Sequence, residues 1–140
     1  MKLILKAVIM LFSIEFLMLS CNQIEKLPSN GSTPKKGHLY LTGNRVFFGT
    51  IDKKFNKTVK MKCILYNTGG NPIVIHKVDV SCGCISADLL SKVIKPHQSV
   101  ILIINVNTEK QIGYFNKSIF INSNADNPIQ ILRIKGNIIE

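Results

Sequence analysis

Residues 58–66 alternate without a break, with Val59, Met61, Cys63 and Leu65 on one side and Lys60 and Lys62 on the other. A period of two places successive side chains on opposite faces of an extended strand, whereas a helix would scatter them around its axis. Further strand-like runs occupy residues 45–51, 73–81, 87–90, 99–106, 113–122 and 129–139. Turn-forming residues separate them: Asn67-Thr68-Gly69-Gly70-Asn71-Pro72, Pro96-His97-Gln98, and Asn124-Ala125-Asp126-Asn127-Pro128. Residues 99–106 are almost continuously apolar, as in a central strand covered on both sides. No segment holds a helical period and no internal repeat occurs. With hydrophobic residues at 46% of 140, the chain has enough apolar material for one core. The expected fold is all-β, a single sandwich of about seven strands.

The first residues read as an address. Lys2 and Lys6 precede an apolar run interrupted by Glu15, and the run ends Met18-Leu19-Ser20-Cys21. A small residue directly before a Cys resembles the bacterial lipobox, in which the thiol is acylated and the chain is cut before it. This divides the chain into a lipoprotein signal peptide (1–20), a lipid-anchored flexible tether (21–38) and the β domain (39–140). Cys21 is the expected lipidation site. The rest of the protein is then expected at the cell envelope, outside the cytoplasm and held to a membrane through the lipid. Within the tether, Ser32-Thr33-Pro34-Lys35 matches the S-x-x-K pattern of serine acylases. That chemistry needs Ser and Lys one helical turn apart, and Pro34 opposes such a turn.

The order of motifs across the domain is specific. Phe47-Phe48-Gly49 comes first, then Asn67-Thr68-Gly69-Gly70-Asn71-Pro72-Ile73 and Ser81-Cys82-Gly83-Cys84. Lys95-Pro96-His97-Gln98-Ser99, Gly113-Tyr114-Phe115-Asn116-Lys117, Ser123-Asn124 and Ile134-Lys135-Gly136 follow. Together they resemble the bacterial envelope family catalogued as domain of unknown function 1573, over roughly residues 40–138. The resemblance implies an immunoglobulin-like domain of the ASH/MSP (HYDIN) type and an envelope location, and it implies no activity. The family often carries Pro-Gly where this chain has Pro96-His97. It also often carries an aromatic residue and Thr where this chain has Ile85, Ser86 and Ala87.

Cys82-Gly83-Cys84 is the constellation with chemistry. Three readings stay open: a disulfide between Cys82 and Cys84, a thiol site that handles Cu(I) or exchanges disulfides, and two inert half-buried thiols. Cys63, on the apolar side of its strand, is expected to be a buried thiol. Lys53, Lys54, Lys57, Lys60 and Lys62 surround the first hairpin and could meet an anionic polymer or lipid head groups. Lys and Arg number 18 against 8 Asp and Glu, a net charge of +10. Nucleic acid is not expected as a partner, because the aromatic platform for it is missing. The three His and the scattered Asp residues form no triad in sequence. The expected function is therefore non-enzymatic, without a cofactor. It is a binding or structural module whose partner is another envelope protein or an acidic polymer, met by strand addition at residues 45–51 or 129–139.

Overall fold

The computed structural model describes residues 36–140. Its strands are β1 (Leu39–Leu41), β2 (Arg45–Asp52), β3 (Thr58–Asn67), β4 (Ile73–Val80), β5 (Ile85–Leu89), β6 (Val93–Ile94), β7 (Ser99–Asn107), β8 (Gly113–Ser123) and β9 (Ile129–Ile139). They form two sheets, ordered β1-β3-β7-β5 and β2-β9-β8-β4-β6. The inward side chains of both sheets make one core, including Leu65, Leu102 and Ile104 from one and Ile119, Leu132 and Ile134 from the other. This is the sandwich that the alternating pattern calls for, since each sheet has one continuous apolar face to bury against the other.

β3 and β7 pair antiparallel from Thr58–Asn107 to Tyr66–Ser99. On β3 the side chains of Cys63, Leu65 and Asn67 are buried while Lys60 and Lys62 are exposed. β7 is central, between β3 and β5, with Val100, Leu102, Ile104 and Val106 buried and the alternate residues half-covered. β1 and β6, of three and two residues, were not expected. Strands so short carry no period for a sequence to display. β5 starts directly after Cys84, two residues before the run expected at 87–90.

One expectation is corrected by the topology. The last strand is not an edge: β9 lies between β2 and β8, and β2 covers its residues 133–139, so no strand can be added there. The reason is that β2 crosses to pair with β9 in parallel, with a register shift between Phe47 and Thr50. β2 is the edge instead. It is fixed against β9 by the Phe48 ring, which lies over Gly136 where any Cβ would overlap it and sits 5.6 Å from the Phe115 ring centroid.

The end of the sandwich that receives the incoming chain is closed by asparagines. The Asn67 side chain is fully buried. Its Nδ2 donates to the carbonyls of Asn71 (2.8 Å) and Ile94 (3.0 Å), and its Oδ1 accepts from the Gly69 N–H (2.9 Å). Asn127 brackets the Leu39 peptide groups, accepting from its N–H at 3.0 Å and donating to its carbonyl at 2.8 Å. Gly37 and His38, expected in the tether, belong to the folded domain. The Gly37 carbonyl accepts from the Asp126 N–H at 2.9 Å, and the His38 carbonyl accepts from the Thr68 N–H at 2.9 Å. Gly69 passes so close beneath this segment that a Cβ would overlap the Lys36 carbonyl and the His38 nitrogen. His97 turns the chain with φ 58°, in the left-handed region, at the position where the resembled family often has Gly.

Asn67→Ala would strip partners from a buried amide and two carbonyls, each worth about 1–3 kcal/mol when left unsatisfied. Chemical denaturation is expected to show a loss of about 3 kcal/mol or more for this variant. Asn124→Ala, at an exposed site with one side-chain bond to the Val74 N–H, is expected to lose only about 1 kcal/mol.

Candidate functional site

The opposite end of the sandwich carries the cysteines. Cys82 and Cys84 occupy the β4–β5 turn and are joined as a disulfide, with Cα atoms 5.2 Å apart. The turn also has a backbone frame of its own. The Ile85 N–H donates to the Cys82 carbonyl at 3.3 Å, and the Asn107 N–H donates to the Cys84 carbonyl at 2.8 Å. Both sulfur residues are half-buried against the core. Gly83 is exposed, and a Cβ there would meet nothing within 4 Å. A cleft of about 290 Å³ beside the turn is lined by Gly83, Cys84, Asn107, Glu109, Lys110 and Gln111. Cys63 is the free thiol among the described residues and lies in the core. Burial pushes its pKa up, against a smaller opposing pull from hydrogen bonding with Thr42. As a neutral, enclosed thiol it is a poor nucleophile.

Two of the five expected lysines meet carboxylates. Lys53 pairs with Glu140 at 2.9 Å, and Lys57 with Glu109 at 3.5 Å. The hydrogen bond from Lys53, with its charge, holds the Glu140 carboxyl below its usual range. Lys54 lies in the same β2–β3 connection, and Lys60 and Lys62 lie further along on the outer face of the four-stranded sheet. The fold also assembles a positive cluster elsewhere. The parallel β2–β9 pairing sets Arg45 opposite Arg133 and Phe47 opposite Lys135, on the outer face of the five-stranded sheet. Residues so far apart in sequence give no local sign of this meeting, because a parallel pairing of the second strand with the last cannot be read from either strand alone.

His38 Nδ1 lies 2.7 Å from Asp126 Oδ1 at the incoming end, while His76 and His97 are exposed on other elements. Among the described residues no three His, Cys, Asp or Glu side chains gather as a metal site. Cys21 and the Ser32–Lys35 pattern lie outside the described residues.

Several solved structures share this architecture. A protein of unknown function from Porphyromonas gingivalis W83 is 21% identical, with a TM-score of 0.68 over 80% of this chain and 51% of that one. The chain thus spans about half the length of that protein. The ASH/PapD-like domain 7 of human CEP192 is 11% identical, with a TM-score of 0.62 over 85% of this chain and 97% of that domain. The VesB protease of Vibrio cholerae is 12% identical, with a TM-score of 0.57 over 71% of this chain and 32% of that one. At these identities the likeness is one of fold, and the fold is an immunoglobulin-like β-sandwich. No curated protein matches the chain in sequence. The family model for proteins of unknown function DUF1573 matches residues 39–138, from the first strand nearly to the end of the last. The chain belongs to the DUF1573 family.

Proposed function

We propose that this protein is a lipid-anchored, non-enzymatic binding module of the bacterial cell envelope, held to a membrane through Cys21 and presenting its sandwich to an envelope partner. The observation that carries the reading is the contrast between inside and outside. The core is closed, with Leu65, Leu102, Ile104, Leu132 and Ile134 at 0% exposure. Yet Phe47, Tyr114 and Ile129 stand at 70%, 66% and 59%. Apolar side chains left outside a complete core favour contact with a partner. β2 adds a strand edge with one side unpaired, a route for a partner strand. The motif Ser20-Cys21 after a basic and apolar leader supports the anchor.

Two measurements test this. Intact mass of the protein taken from native membranes is expected to show a chain beginning at Cys21 and carrying acyl groups. A mass matching an uncleaved, unmodified chain would overturn the anchor. A photo-crosslinking residue at Thr50, on the free edge, is expected to capture in cells a protein of one defined mass. The same residue at Asn105, in a central strand, is not. Equal capture at both positions, or none at Thr50, would overturn strand addition at β2.

A second reading rests on the Cys82–Cys84 bond. A ring closed over one intervening residue removes little chain entropy, and the backbone frames the turn independently, so the bond contributes little stability. Gly83 leaves the ring open to a thiolate. In this reading a partner thiolate attacks one sulfur, the other leaves as a thiolate, and a second partner thiol resolves the mixed disulfide. The partner dithiol is oxidised and the pair becomes two thiols. Cys82→Ser and Cys84→Ser are then expected to shift stability by about 1 kcal/mol or less, while wild type equilibrates with a glutathione couple. A pair that resists glutathione in the folded protein, or variants that lose several kcal/mol, would overturn exchange in favour of a staple.

A further inference from the structure

The outer face of the five-stranded sheet combines two features that the fold itself does not require. The first is charge. Arg45 lies directly opposite Arg133, and Lys135 follows two residues on, opposite Phe47. On the other side of β9 the facing residues are Ser118 and Asn116, so no carboxylate adjoins the three cations. Among the described residues the ion pairs are His38–Asp126, Lys53–Glu140, Lys57–Glu109 and Lys77–Asp79, and none involves Arg45, Arg133 or Lys135. Like charges placed opposite each other on a sheet are destabilising. Their inward neighbours Val46 and Ile134 do the packing, so the cations serve nothing inside.

The second feature is apolar surface around that charge. Phe47 is 70% exposed, Tyr114 66% and Ile131 42%. Ile131 faces Phe120 across β8–β9, extending the apolar surface along the sheet. A soluble acidic polymer would neutralise the cations and leave these side chains in water. A bilayer offers both chemistries at adjacent depths: phosphates that accept bidentate guanidinium bonds, and an acyl boundary beneath them for aromatic and aliphatic side chains. Long cationic side chains reach from one layer to the other.

We propose that the outer face of the five-stranded sheet, centred on Arg45, Arg133, Lys135 and Phe47, docks on a membrane of anionic phospholipid. Its placement at the envelope rests on the proposed function above. The face itself does not depend on acylation. From Cys21 to Lys36 the chain spans at most about 50 Å, longer than the roughly 36 Å of the eleven-residue β9. An anchored domain can therefore lie flat.

The test uses the chain from residue 21 with Cys21→Ser, which carries no lipid, and flotation with vesicles. It is expected to float with phosphatidylglycerol–phosphatidylcholine vesicles at low salt and to be released as salt rises. Each cation removed is expected to weaken partition about fivefold, the equivalent of the roughly 1 kcal/mol a Lys or Arg gains at an anionic surface. Arg45→Glu with Arg133→Glu should thus lose well over tenfold while keeping its thermal midpoint. Phe47→Ser should weaken binding without changing the salt dependence. The same charge change at Lys92→Glu with Lys95→Glu should have a much smaller effect. Absence of flotation, equal flotation with pure phosphatidylcholine, or an equal loss in the Lys92/Lys95 variant would overturn the proposal. So would binding to soluble polyglutamate as tight as to vesicles with no effect of Phe47→Ser, which would assign the face to an acidic polymer. Because the tested chain has no lipid, these outcomes are independent of whether Cys21 is acylated in cells.

Discussion

The buried Asn67 amide holds together parts of the chain that no strand pairing joins. It sits at the end of β3 in the four-stranded sheet and donates to Ile94 in β6 of the other sheet. It also donates to Asn71 and accepts from Gly69, which shapes the turn into β4. Its own backbone receives the next turn, since its N–H donates to the Gln98 carbonyl and its carbonyl accepts from the His97 N–H, both at 3.0 Å. An amide has both donor and acceptor groups, as a peptide does, so it can replace a strand partner where geometry forbids a strand. Asn127 does the same for Leu39, and Asn124 for Val74. The sandwich is closed at this end by side chains that mimic backbone. Gly69 is small there because the incoming chain must cross directly over it.

The second constraint is the crossing of β2. By pairing in parallel with β9 rather than with its sequence neighbour β3, the strand moves to the other sheet and encloses the last strand. That single choice makes β9 interior and β2 an edge, and it brings Arg45 to Arg133. The Phe48 ring over Gly136 holds the two strands at this spacing. Packing at the inner face and charge at the outer face therefore follow from one pairing. A substitution that moves Phe48 would be felt on both.

The alternation of β3 was legible because half-burial imposes a period of two, and the turns were legible because Asn, Gly and Pro have local reasons to be there. β1 and β6 were not, because two or three residues show no period. The edge assignment of residues 129–139 failed for a different reason. Their pattern fixes which side chains face inward, and says nothing about which strands lie alongside. The same gap explains the site. Cys82 and Cys84 are adjacent in sequence, so their joint chemistry could be read. Lys53, Lys54, Lys57, Lys60 and Lys62 are close in sequence too, yet the partners of two of them are not: Lys53 meets Glu140 and Lys57 meets Glu109, carboxylates far along the chain. Arg45, Arg133 and Lys135 form a cluster only through topology.

The two ends of the sandwich would stand differently toward the lipid anchor proposed at Cys21. The incoming chain reaches the domain at Gly37 and His38, beside the turns around Asn67, His97 and Asp126. The Cys82–Cys84 turn lies at the other end, with Asn107 hydrogen-bonded to Cys84. A tether alone would leave that turn free to swing a strand's length away from the attachment point. Docking through Arg45, Arg133, Lys135 and Phe47 would lay both ends at the same height above the lipid, because β9 runs along the docked face. The disulfide turn would then be held near the membrane surface, and β2, whose free edge lies in the plane of the sheet, would stay open to a partner from the side. Under the proposed docking, orientation, edge access and placement of the cysteine turn would be coupled through the outer face of one sheet. Reversing the Arg45 and Arg133 charges would release all three together while leaving the core untouched.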